Sequence, residues 1–360
     1  MTDAKAELER IQVALGAADE ALADAFEARA KATLDLAALK ATHPDAYFAV
    51  PREPAVVERI APRAPHVPSA ALRGVVREVL SACTHLMAPV EIVYVGQEGG
   101  FGNLAARSHF GSSAVLRPAV AATEALSEVE RGHASFAVVP FETSYDGAVT
   151  ETLNLLARSD LKICAEIPIR RAFHLLSRGG ERTAIKKIYA AASAITACQT
   201  FLTRRFPGVL VIDVANGVVA AQRALEEPGA AALATDIVAA QSGLDYVERA
   251  IEDVADLETR YVAVGNDFPP RTGADRTAIA LVTHDAPGVL VACLKPFADR
   301  NLNLYRLETR PARGWEWRYL ILLELEGHIT DRAVLAATEE LRAASRYVKV
   351  LGSYPRVAEA

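Results

Sequence analysis

The run IVYVG, residues 92–96, marks the point at which the sequence changes from helical spacing to short β-rich runs. Consecutive β-formers that end at a glycine are typical of a buried strand followed by a turn. Further runs of this kind alternate with helical segments, at residues 136–141, 162–169, 187–191, 209–214, 231–234 and 261–264. This alternation predicts an α/β domain over residues 91–268, with two small lobes and a ligand-binding cleft between them.

A different order of elements follows the proline and glycine hinge at residues 269–273. Periodicity predicts strand 277–283, helix 289–300, strand 303–310, strand 317–326, helix 331–345 and strand 348–353. The order βαββαβ is that of the ferredoxin-like unit. Residues 276–356 are therefore predicted to form a separate ferredoxin-like domain.

Residues 1–88 contain no strand pattern and are predicted to be all helical. Apolar residues at helical spacing predict one long helix over residues 8–40. The prolines that follow leave room for a short helix at residues 54–61, and Ser69 is the predicted N-cap of a helix that ends near Met87. Because a single long helix cannot bury its apolar stripe alone, we expect it to pair with a second copy of the chain.

The composition is that of a folded cytoplasmic protein. Apolar residues make up 51% of the chain and charged residues 23%, with a net charge of -6. The dispersed basic residues provide no field for nucleic acid, and no apolar run reaches the ~18 residues that span a bilayer. Four cysteines without CxxC spacing are predicted to be buried thiols in a reducing compartment, namely Cys83, Cys164, Cys198 and Cys293.

Three motifs in the C-terminal domain resemble the GALV, ESRP and LGSYP motifs of the ACT domain of prephenate dehydratases. They are PGVLV at 287–291, LETRP at 307–311 and LGSYP at 351–355. The resemblance implies that this domain binds the effector L-phenylalanine at a dimer interface and inhibits the enzyme. The implied effector residues are Gly288, Val289, Leu290, Glu308, Thr309 and Arg310.

The chemistry of a helix N-terminus agrees with that implication. A helix that begins after Gly288 presents free N–H groups and the positive end of its dipole, which suit the carboxylate of an amino acid. From the residues alone, Gly288 is equally a glycine that opens a turn, and Glu308 and Arg310 are equally a solvated ion pair.

Motifs in residues 91–268 resemble those of prephenate dehydratase domains. GQEGGFG at 96–102 stands where the family has GPEGTFS, VPFETSYDG at 139–147 stands at its PIENS segment, and ETRY at 258–261 stands at its TRF motif. With the C-terminal motifs, the resemblance covers essentially the whole chain. It implies a two-lobed α/β domain like that of periplasmic binding proteins, which converts prephenate to phenylpyruvate in phenylalanine biosynthesis without a metal or an organic cofactor.

The resemblance also indicates the site residues. Those expected to act in catalysis are Thr259, Arg260, Glu142 and Ser144, and those expected to bind substrate are Gly99, Gly100, Phe101 and Thr143. Prephenate loses carbon dioxide and a ring hydroxyl, so the site needs groups for two carboxylates and a donor beside the departing oxygen. A threonine hydroxyl is such a donor. Arg260 either holds a carboxylate or braces its strand through Glu142 or another acid.

Several motif positions differ from the family. Its polar residues are replaced by Gly100, Gly102, Ala190, Ala191, Ala197 and Leu257, and Thr143 replaces an asparagine. Each hydrogen bond lost from a desolvated site is worth about 1–3 kcal/mol. Two alternatives to the dehydratase therefore stay open: a catalytically silent paralogue that senses phenylalanine, and an enzyme for a related cyclohexadienyl acid.

The helical residues 1–88 resemble the AroQ class of chorismate mutase. The positions that hold chorismate in that family correspond to Arg29, Lys40, Arg52, Glu53 and Ser81, whereas Gln12, Ala49 and His85 differ from the family's residues. The resemblance implies a homodimer or higher homo-oligomer, with chorismate mutase activity as a second expectation. On the residues alone, Arg29 and Lys40 are equally solvated helix charges.

Overall fold

The computed structural model describes residues 2–42, 53–144, 147–179, 182–311 and 319–357. The chain forms two compact units. One contains the residues up to Val90 together with His109–Val115, and the other contains Glu91–Ser108 and the residues from Leu116 onward. Among the described helices, none combines the length and the apolar character needed to cross a bilayer.

The helices of the N-terminal and C-terminal parts, for which the sequence predicted bounds, agree closely with those predictions. The full set of helices in the described residues is as follows. They are α1 (Thr2–Thr42), α2 (Glu53–Ile60), α3 (Ser69–Met87), α4 (Phe101–Phe110), α5 (Ala122–Glu130), α6 (Thr150–Arg158), α7 (Ala192–Ala197), α8 (Gln199–Arg205), α9 (Gly217–Glu226), α10 (Asp236–Ser242), α11 (Val289–Ala298) and α12 (Arg332–Ala344). Residues 61–63 and 182–184 form short 3-10 helices.

The strands include all those predicted and four that the sequence reading missed. They are β1 (Glu91–Val95), β2 (Val115–Ala119), β3 (Phe136–Thr143), β4 (Gly147–Ala148), β5 (Lys162–Arg170), β6 (His174–Ser177), β7 (Lys187–Ala190), β8 (Leu210–Asp213), β9 (Ala230–Ala234), β10 (Asp245–Glu248), β11 (Glu258–Gly265), β12 (Asp275–Thr283), β13 (Leu304–Pro311), β14 (Tyr319–Glu326) and β15 (Ser345–Pro355). The missed strands are β2, β4, β6 and β10, which are short or carry Pro, Gly or charged residues that weaken a β pattern.

The first unit is a small helical assembly in which α1 and α2 each pack on α3. Its few buried apolar side chains include Val56, Leu72, Val76 and Cys83. The prediction that Ser69 caps α3 is wrong by one residue. Pro68 occupies the cap position, with φ -57° and an extended ψ of 139°, and Ser69 is already helical; the apolar proline ring offers no side-chain hydrogen bond to the helix.

The second unit contains two sheets. Ten strands form a sheet in the order β13-β14-β12-β15-β5-β11-β3-β1-β2, with β4 paired to β3, and five strands form a sheet in the order β10-β6-β9-β7-β8. We call the part built on β1, β3, β5 and β11 the first lobe, and the part built on the five-stranded sheet the second lobe. This is the expected two-lobed α/β arrangement.

The C-terminal domain has the predicted βαββαβ order, and its four strands continue the sheet of the first lobe. Within this ten-stranded sheet, the C-terminal strands join those of the first lobe where β15 runs parallel to β5, with Gly352 paired to Ile163. A Cβ at Gly352 would lie 2.5 Å from both the Cβ and the carbonyl oxygen of Ile163. Only glycine permits this approach, because any side chain would force the strands apart.

The remaining residues of the LGSYP motif also hold the C-terminal domain together. The Ser353 hydroxyl accepts a hydrogen bond from the Ile329 amide at 2.9 Å and lies 2.9 Å from the Thr277 hydroxyl. Tyr354 is fully buried. Its hydroxyl donates to Glu324 at 3.0 Å. The motif that identifies the family in sequence therefore has a structural role here.

All four cysteines are free thiols. Cys83, Cys198 and Cys293 are buried, as predicted, whereas Cys164 is half-buried. Burial raises the pKa of Cys198 to about 12. At neutral pH this thiol is therefore protonated and unsuited to act as a nucleophile.

Candidate active site

Thr259 lies near the start of β11 and is only 4% exposed to solvent. Its Cα is paired with that of Thr143 on β3 and with that of Ile169 on β5. Side chains at opposed positions of neighbouring strands project from the same face of a sheet. The structure therefore brings Thr143 and Thr259, two of the predicted site residues, side by side.

Arg260 projects from the opposite face of β11, because successive strand residues alternate in direction. Its guanidinium is held by three carboxylates. Nε donates to Glu142 at 3.0 Å, Nη1 donates to Glu166 at 3.1 Å, and Nη2 donates to both oxygens of Glu324 at 2.9 Å. Of the two roles left open by the sequence, the structure assigns Arg260 that of a brace. Arg260 and Glu142 do not share a face with Thr259, which corrects the expectation of one catalytic group.

Two further arginines complete this cluster. Arg276 contacts Glu166 at 2.9 Å, and Arg306 forms an ion pair with Glu142. We use the name arginine–glutamate cluster for the six residues Arg260, Arg276, Arg306, Glu142, Glu166 and Glu324. The side chains of Glu166 and Glu324 are only 4% and 2% exposed. The cluster thus contains three positive and three negative charges in a largely buried site. This balance is expected, because an unpaired buried charge would strongly destabilise the fold.

The protonation states of the cluster follow from its burial. Burial raises the pKa of Tyr354 well above its ordinary value, and the charge of Glu324 acts in the same direction. Burial alone would lower the pKa of Arg260, but Tyr354, Glu324 and Glu142 outweigh it, so the pKa is raised. Arg260 therefore keeps its proton, which suits a permanent structural cation and not an acid catalyst.

The cluster continues into the ESRP-like motif on β13. Arg306 contacts Glu308 at 2.6 Å, and Arg310 also forms an ion pair with Glu308. The Glu308 carboxylate accepts hydrogen bonds from the Ala148 amide, at 3.0 and 3.2 Å. Residues predicted to bind the effector thus contact β4 of the first lobe.

The predicted effector residues divide between two faces of the C-terminal sheet. Gly288 has a φ of 75° and occupies the position before α11, so Val289 and Leu290 begin the helix. Thr309 is paired with Ile321, a core residue beneath the helices, whereas Glu308 and Arg310 alternate to the other face. Within one chain, Thr309 therefore shares the side of α11, and Glu308 and Arg310 lie on the side of the first lobe.

The glycine-rich loop before α4 contacts the second lobe. The Gly99 carbonyl accepts a hydrogen bond from the Thr235 hydroxyl at 2.6 Å. Gly99 has a φ of 72°, and a Cβ there would lie 2.5 Å from a methyl group of Val238. Gly100 donates its N–H to the Gln97 carbonyl at 3.0 Å, which closes the turn. This loop is therefore fixed in place by backbone contacts.

Phe101 begins α4 and packs edge-to-face on Phe173, with ring centroids 5.1 Å apart. The Arg171 guanidinium carbon lies 5.6 Å from the centroid of the Phe101 ring. Arg171 directly follows β5, and its N–H donates to the Leu257 carbonyl at 2.7 Å, so the pairing with the chain before Thr259 continues by one residue and places Arg171 on the face of Ile169 and Thr259. The Arg171 guanidinium has no ion pair or hydrogen bond in the parts of the chain that the structure describes.

Tyr261 places a phenol on the same face, two residues along β11 from Thr259. Burial raises the pKa of Tyr261 to about 12, against the opposing effect of the Arg171 charge. The sequence reading missed Arg171, although a signal existed: an arginine directly after β5 with no acidic residue beside it.

Ser144, Asn216 and Gly102 make contacts that are mainly structural. The Ser144 hydroxyl accepts from the Glu258 amide at 3.0 Å, and the Ser144 amide donates to the Glu258 carbonyl at 2.9 Å. Asn216 caps α9 by accepting from the Val219 amide at 2.9 Å. Gly102, where the family has serine, lies so close to β1 that a Cβ would be 1.9 Å from the Val95 carbonyl oxygen.

The mutase-like residues are distributed over the three helices of the first unit. Arg29 lies on α1, Glu53 begins α2, and Ser81 lies on α3, without an ion pair or hydrogen bond joining them in the described part of the chain. The Ser81 hydroxyl accepts from the Ser113 amide at 3.2 Å. Lys40 belongs to α1, and Arg52 lies outside the described residues.

The family assignment comes from comparison with known proteins. The prephenate dehydratase family model matches residues 92–268. A bifunctional chorismate mutase/prephenate dehydratase from Stutzerimonas stutzeri is 34% identical over 360 residues, which cover 97% of this chain and 98% of that protein. A protein of the same name from Aquifex aeolicus is 35% identical and covers 80% of each chain.

Solved structures agree with this assignment. The prephenate dehydratase of Arthrobacter aurescens in complex with L-Phe is 33% identical, with a TM-score of 0.62, and covers 74% of this chain and 90% of that one. The prephenate dehydratase of Staphylococcus aureus is 25% identical, also with a TM-score of 0.62, and covers 74% and 100%. The chain belongs to the family of bifunctional chorismate mutase/prephenate dehydratases.

Proposed function

We propose that this chain is a prephenate dehydratase, which decarboxylates and dehydrates prephenate to phenylpyruvate. The observation that carries the proposal is the shared face of Thr259 and Arg171, which combines a hydroxyl donor with a guanidinium that has no ion pair or hydrogen bond among the described residues. Thr143 and Phe101 border the same region. A cyclic dicarboxylate needs such a cation for one carboxylate and such a donor for its departing hydroxyl.

The proposed reaction uses no ionised catalytic group. The bond between the ring and its carboxylate breaks, carbon dioxide leaves, and the electron pair enters the ring. The bond from the opposite ring carbon to its hydroxyl breaks as that electron pair moves through the ring, and the departing hydroxide takes a proton from the solvent to become water. Thr259 donates a hydrogen bond to that oxygen as negative charge develops on it. Arg171 holds one carboxylate, and the free N–H groups in the first turn of α4 are directed at the other.

Arg260 and Glu142 take part in this proposal as positioning residues. The arginine–glutamate cluster fixes the backbone of β11 against β3 and β5 from the face opposite Thr259. A threonine hydroxyl placed by a rigid strand needs no further ordering when the substrate binds, which lowers the activation barrier. Ser144 contributes by fastening the end of β3 to the start of β11.

We propose that L-phenylalanine regulates the enzyme through the C-terminal domain. The related structure from Arthrobacter aurescens is a complex with L-Phe. The Val289 N–H donates to the Ala286 carbonyl at 3.3 Å, whereas the N–H groups of Leu290 and Val291 have no acceptor in the described part of the chain, and these two residues are 39% and 70% exposed. These groups suit the carboxylate and the apolar side chain of an amino acid.

We propose further that the chain is a homodimer joined through α1. Apolar residues at helical spacing on α1 are solvent-exposed within one chain, namely Leu8 (55%), Ile11 (43%), Leu15 (61%), Leu22 (51%) and Phe26 (42%). A stripe of this length is covered in a stable protein, and a second α1 is its natural complement. Chorismate mutase activity is a second proposed activity, because the Ser81 hydroxyl accepts from the Ser113 amide and keeps its own proton to donate to a ligand.

The proposed location is the cytoplasm. The free thiols Cys83, Cys198 and Cys293 are buried without disulfide partners. A reducing compartment maintains such thiols.

The first test removes the Thr259 hydroxyl. We expect Thr259→Val, which keeps the shape of the side chain, to lower the rate of phenylpyruvate formation from prephenate about 100-fold, because one donor to the leaving oxygen is lost. Thr259→Ser keeps the hydroxyl and should retain most of the rate. A wild-type rate no greater than that of Thr259→Val would reject the dehydratase and leave the silent phenylalanine sensor as the function.

The second test compares the two arginines. We expect Arg171→Gln to lower kcat/KM about tenfold or more by loss of a charge-assisted hydrogen bond, with an unchanged free energy of unfolding. Arg260→Gln should instead lower the free energy of unfolding by about 3–5 kcal/mol, because the buried Glu166 and Glu324 and the half-buried Glu142 lose their shared cation. Urea unfolding and steady-state kinetics measure both. Equal loss of stability in the two variants would contradict these roles.

The third test addresses the effector. We expect L-phenylalanine to bind in calorimetry, and Val291→Asp to abolish binding because a carboxylate in the first turn of α11 repels that of the ligand. The helix itself tolerates aspartate there, since an acidic residue suits its N-terminus. Val291→Asn, of the same size but uncharged, is the matched control. Unchanged binding by Val291→Asp would place the effector elsewhere.

The fourth test concerns the dimer. We expect Ile11→Glu to dissociate the dimer, because it places a charge in the apolar stripe of α1. Val13 is 74% exposed and lies on the other side of the helix, so Val13→Glu is the matched control. Sedimentation equilibrium measures the mass of each variant. A dimeric Ile11→Glu protein would show that α1 is not the interface.

A further inference from the structure

A cavity of about 690 Å³ lies between the first lobe and the C-terminal domain, beside β15 and α12. It exists because β15 is paired with β5 only at Gly352, so the earlier part of β15 separates from the first lobe. The end of α6, the hinge residue Phe268 and one side of α12 form the other walls. Its volume is within the range of small-molecule sites.

The cavity is distinct from the sites already described. None of its lining residues is among those assigned to the Thr259 site, in the first turn of α11 or on β13. Among its charged lining residues, cations outnumber carboxylates by four to two: Arg158, Lys162, Arg342 and Lys349 against Asp160 and Glu339. The whole chain has a net charge of -6, whereas the charged residues that line this cavity are mainly cations. This local excess of positive charge favours binding of an anion.

Two of these cations lack a carboxylate partner. The Lys349 ammonium makes no hydrogen bond or ion pair in the described part of the chain, although the residue is half-buried. The Lys162 ammonium donates to the Asp160 carbonyl at 2.8 Å and lies 5.6 Å from the centroid of the Phe268 ring. By contrast, Arg342 contacts Glu339 at 3.4 Å and donates to the Val348 carbonyl at 3.3 Å.

The electrostatic environment of Lys349 agrees with a missing anion. Burial lowers the pKa of Lys349, and the charge of Lys162 lowers it further, against the weaker influence of Asp160 and Glu130. Both lysines line this cavity, where their like charges repel each other. An anion between them would relieve this repulsion and restore the pKa of Lys349 toward its ordinary value.

The remaining lining residues define the body of the ligand. Phe268, Leu335, Ile329 and Val348 provide an apolar wall, with an aromatic ring next to the Lys162 ammonium. Apolar walls with a few polar groups at one end are typical of sites for small organic molecules. Inorganic anions would leave this wall uncovered.

We propose that this cavity binds a small organic carboxylate with an apolar ring, whose carboxylate lies between the ammonium groups of Lys349 and Lys162. The ring packs on Phe268 and Leu335. Because Phe268 belongs to the segment that links the first lobe to the C-terminal domain, the ligand contacts both.

The test is calorimetry on the full chain with 3-phenylpropanoate as the probe. Two analogues separate the contributions: 3-phenylpropanol has the ring but no charge, and acetate has the charge but no ring. We expect 3-phenylpropanoate to bind at least about tenfold more tightly than either. We expect Lys349→Gln to weaken its binding about tenfold or more, as the loss of a charge-assisted hydrogen bond requires.

Two further variants show where the probe binds. Leu335 is 49% exposed, so Leu335→Trp should fold normally and block binding by filling the cavity. Lys295→Gln is the matched control for Lys349→Gln, since Lys295 contacts Asp299 at 2.6 Å on α11 and lies outside the cavity. Binding that is unaffected by both Lys349→Gln and Leu335→Trp, or that is lost in Val291→Asp, would overturn the proposal. Equal affinity for acetate and 3-phenylpropanoate would overturn it as well.

Discussion

The ion cluster around Arg260 is the interaction on which the rest of the second unit depends. Its guanidinium joins carboxylates from β3, β5 and β14, so one side chain connects the two strands that flank β11 with the C-terminal domain. Removing a charge from such a buried set leaves the others uncompensated, which is far more costly than losing an exposed ion pair. The position of Thr259 on the opposite face is a direct consequence of this arrangement.

The same cluster connects two motifs that are far apart in sequence. Glu142 belongs to the segment that resembles the family's PIENS motif, and Glu308 belongs to the segment that resembles ESRP. Arg306 contacts both, and the Glu308 carboxylate accepts from the Ala148 amide. A contiguous chain of charges therefore extends from the C-terminal domain to the strand that carries Thr259. Such a chain is a physical route for coupling, because moving one member changes the balance of charge for all others.

Close packing explains Gly102, which the sequence analysis treated as a lost polar group, and Gly99, which it predicted to bind substrate. Gly102 lies against the Val95 carbonyl, and Gly99 lies against Val238, at distances that exclude any side chain. Glycine at these positions shortens the separation between backbone segments, so the loop is held by van der Waals contact and by the hydrogen bond from Thr235. The polar surface of the candidate site consequently depends on fewer residues, among them Thr143, Thr259 and Arg171.

The sequence by itself determined the order and type of most elements, because periodicity and turn residues act locally. Residues 8–40 were predicted as a helix and lie within α1, and the βαββαβ order of the C-terminal domain was read from its pattern. Motif resemblance located Thr259 because a motif is a short run of consecutive residues, and is therefore also local information. Only the tertiary structure decided which face each side chain occupies. The sequence left two roles open for Arg260 and gave no prediction for Arg171. Register between strands that are distant in sequence sets these directions, and one residue of register reverses the face, so no local pattern contains that information.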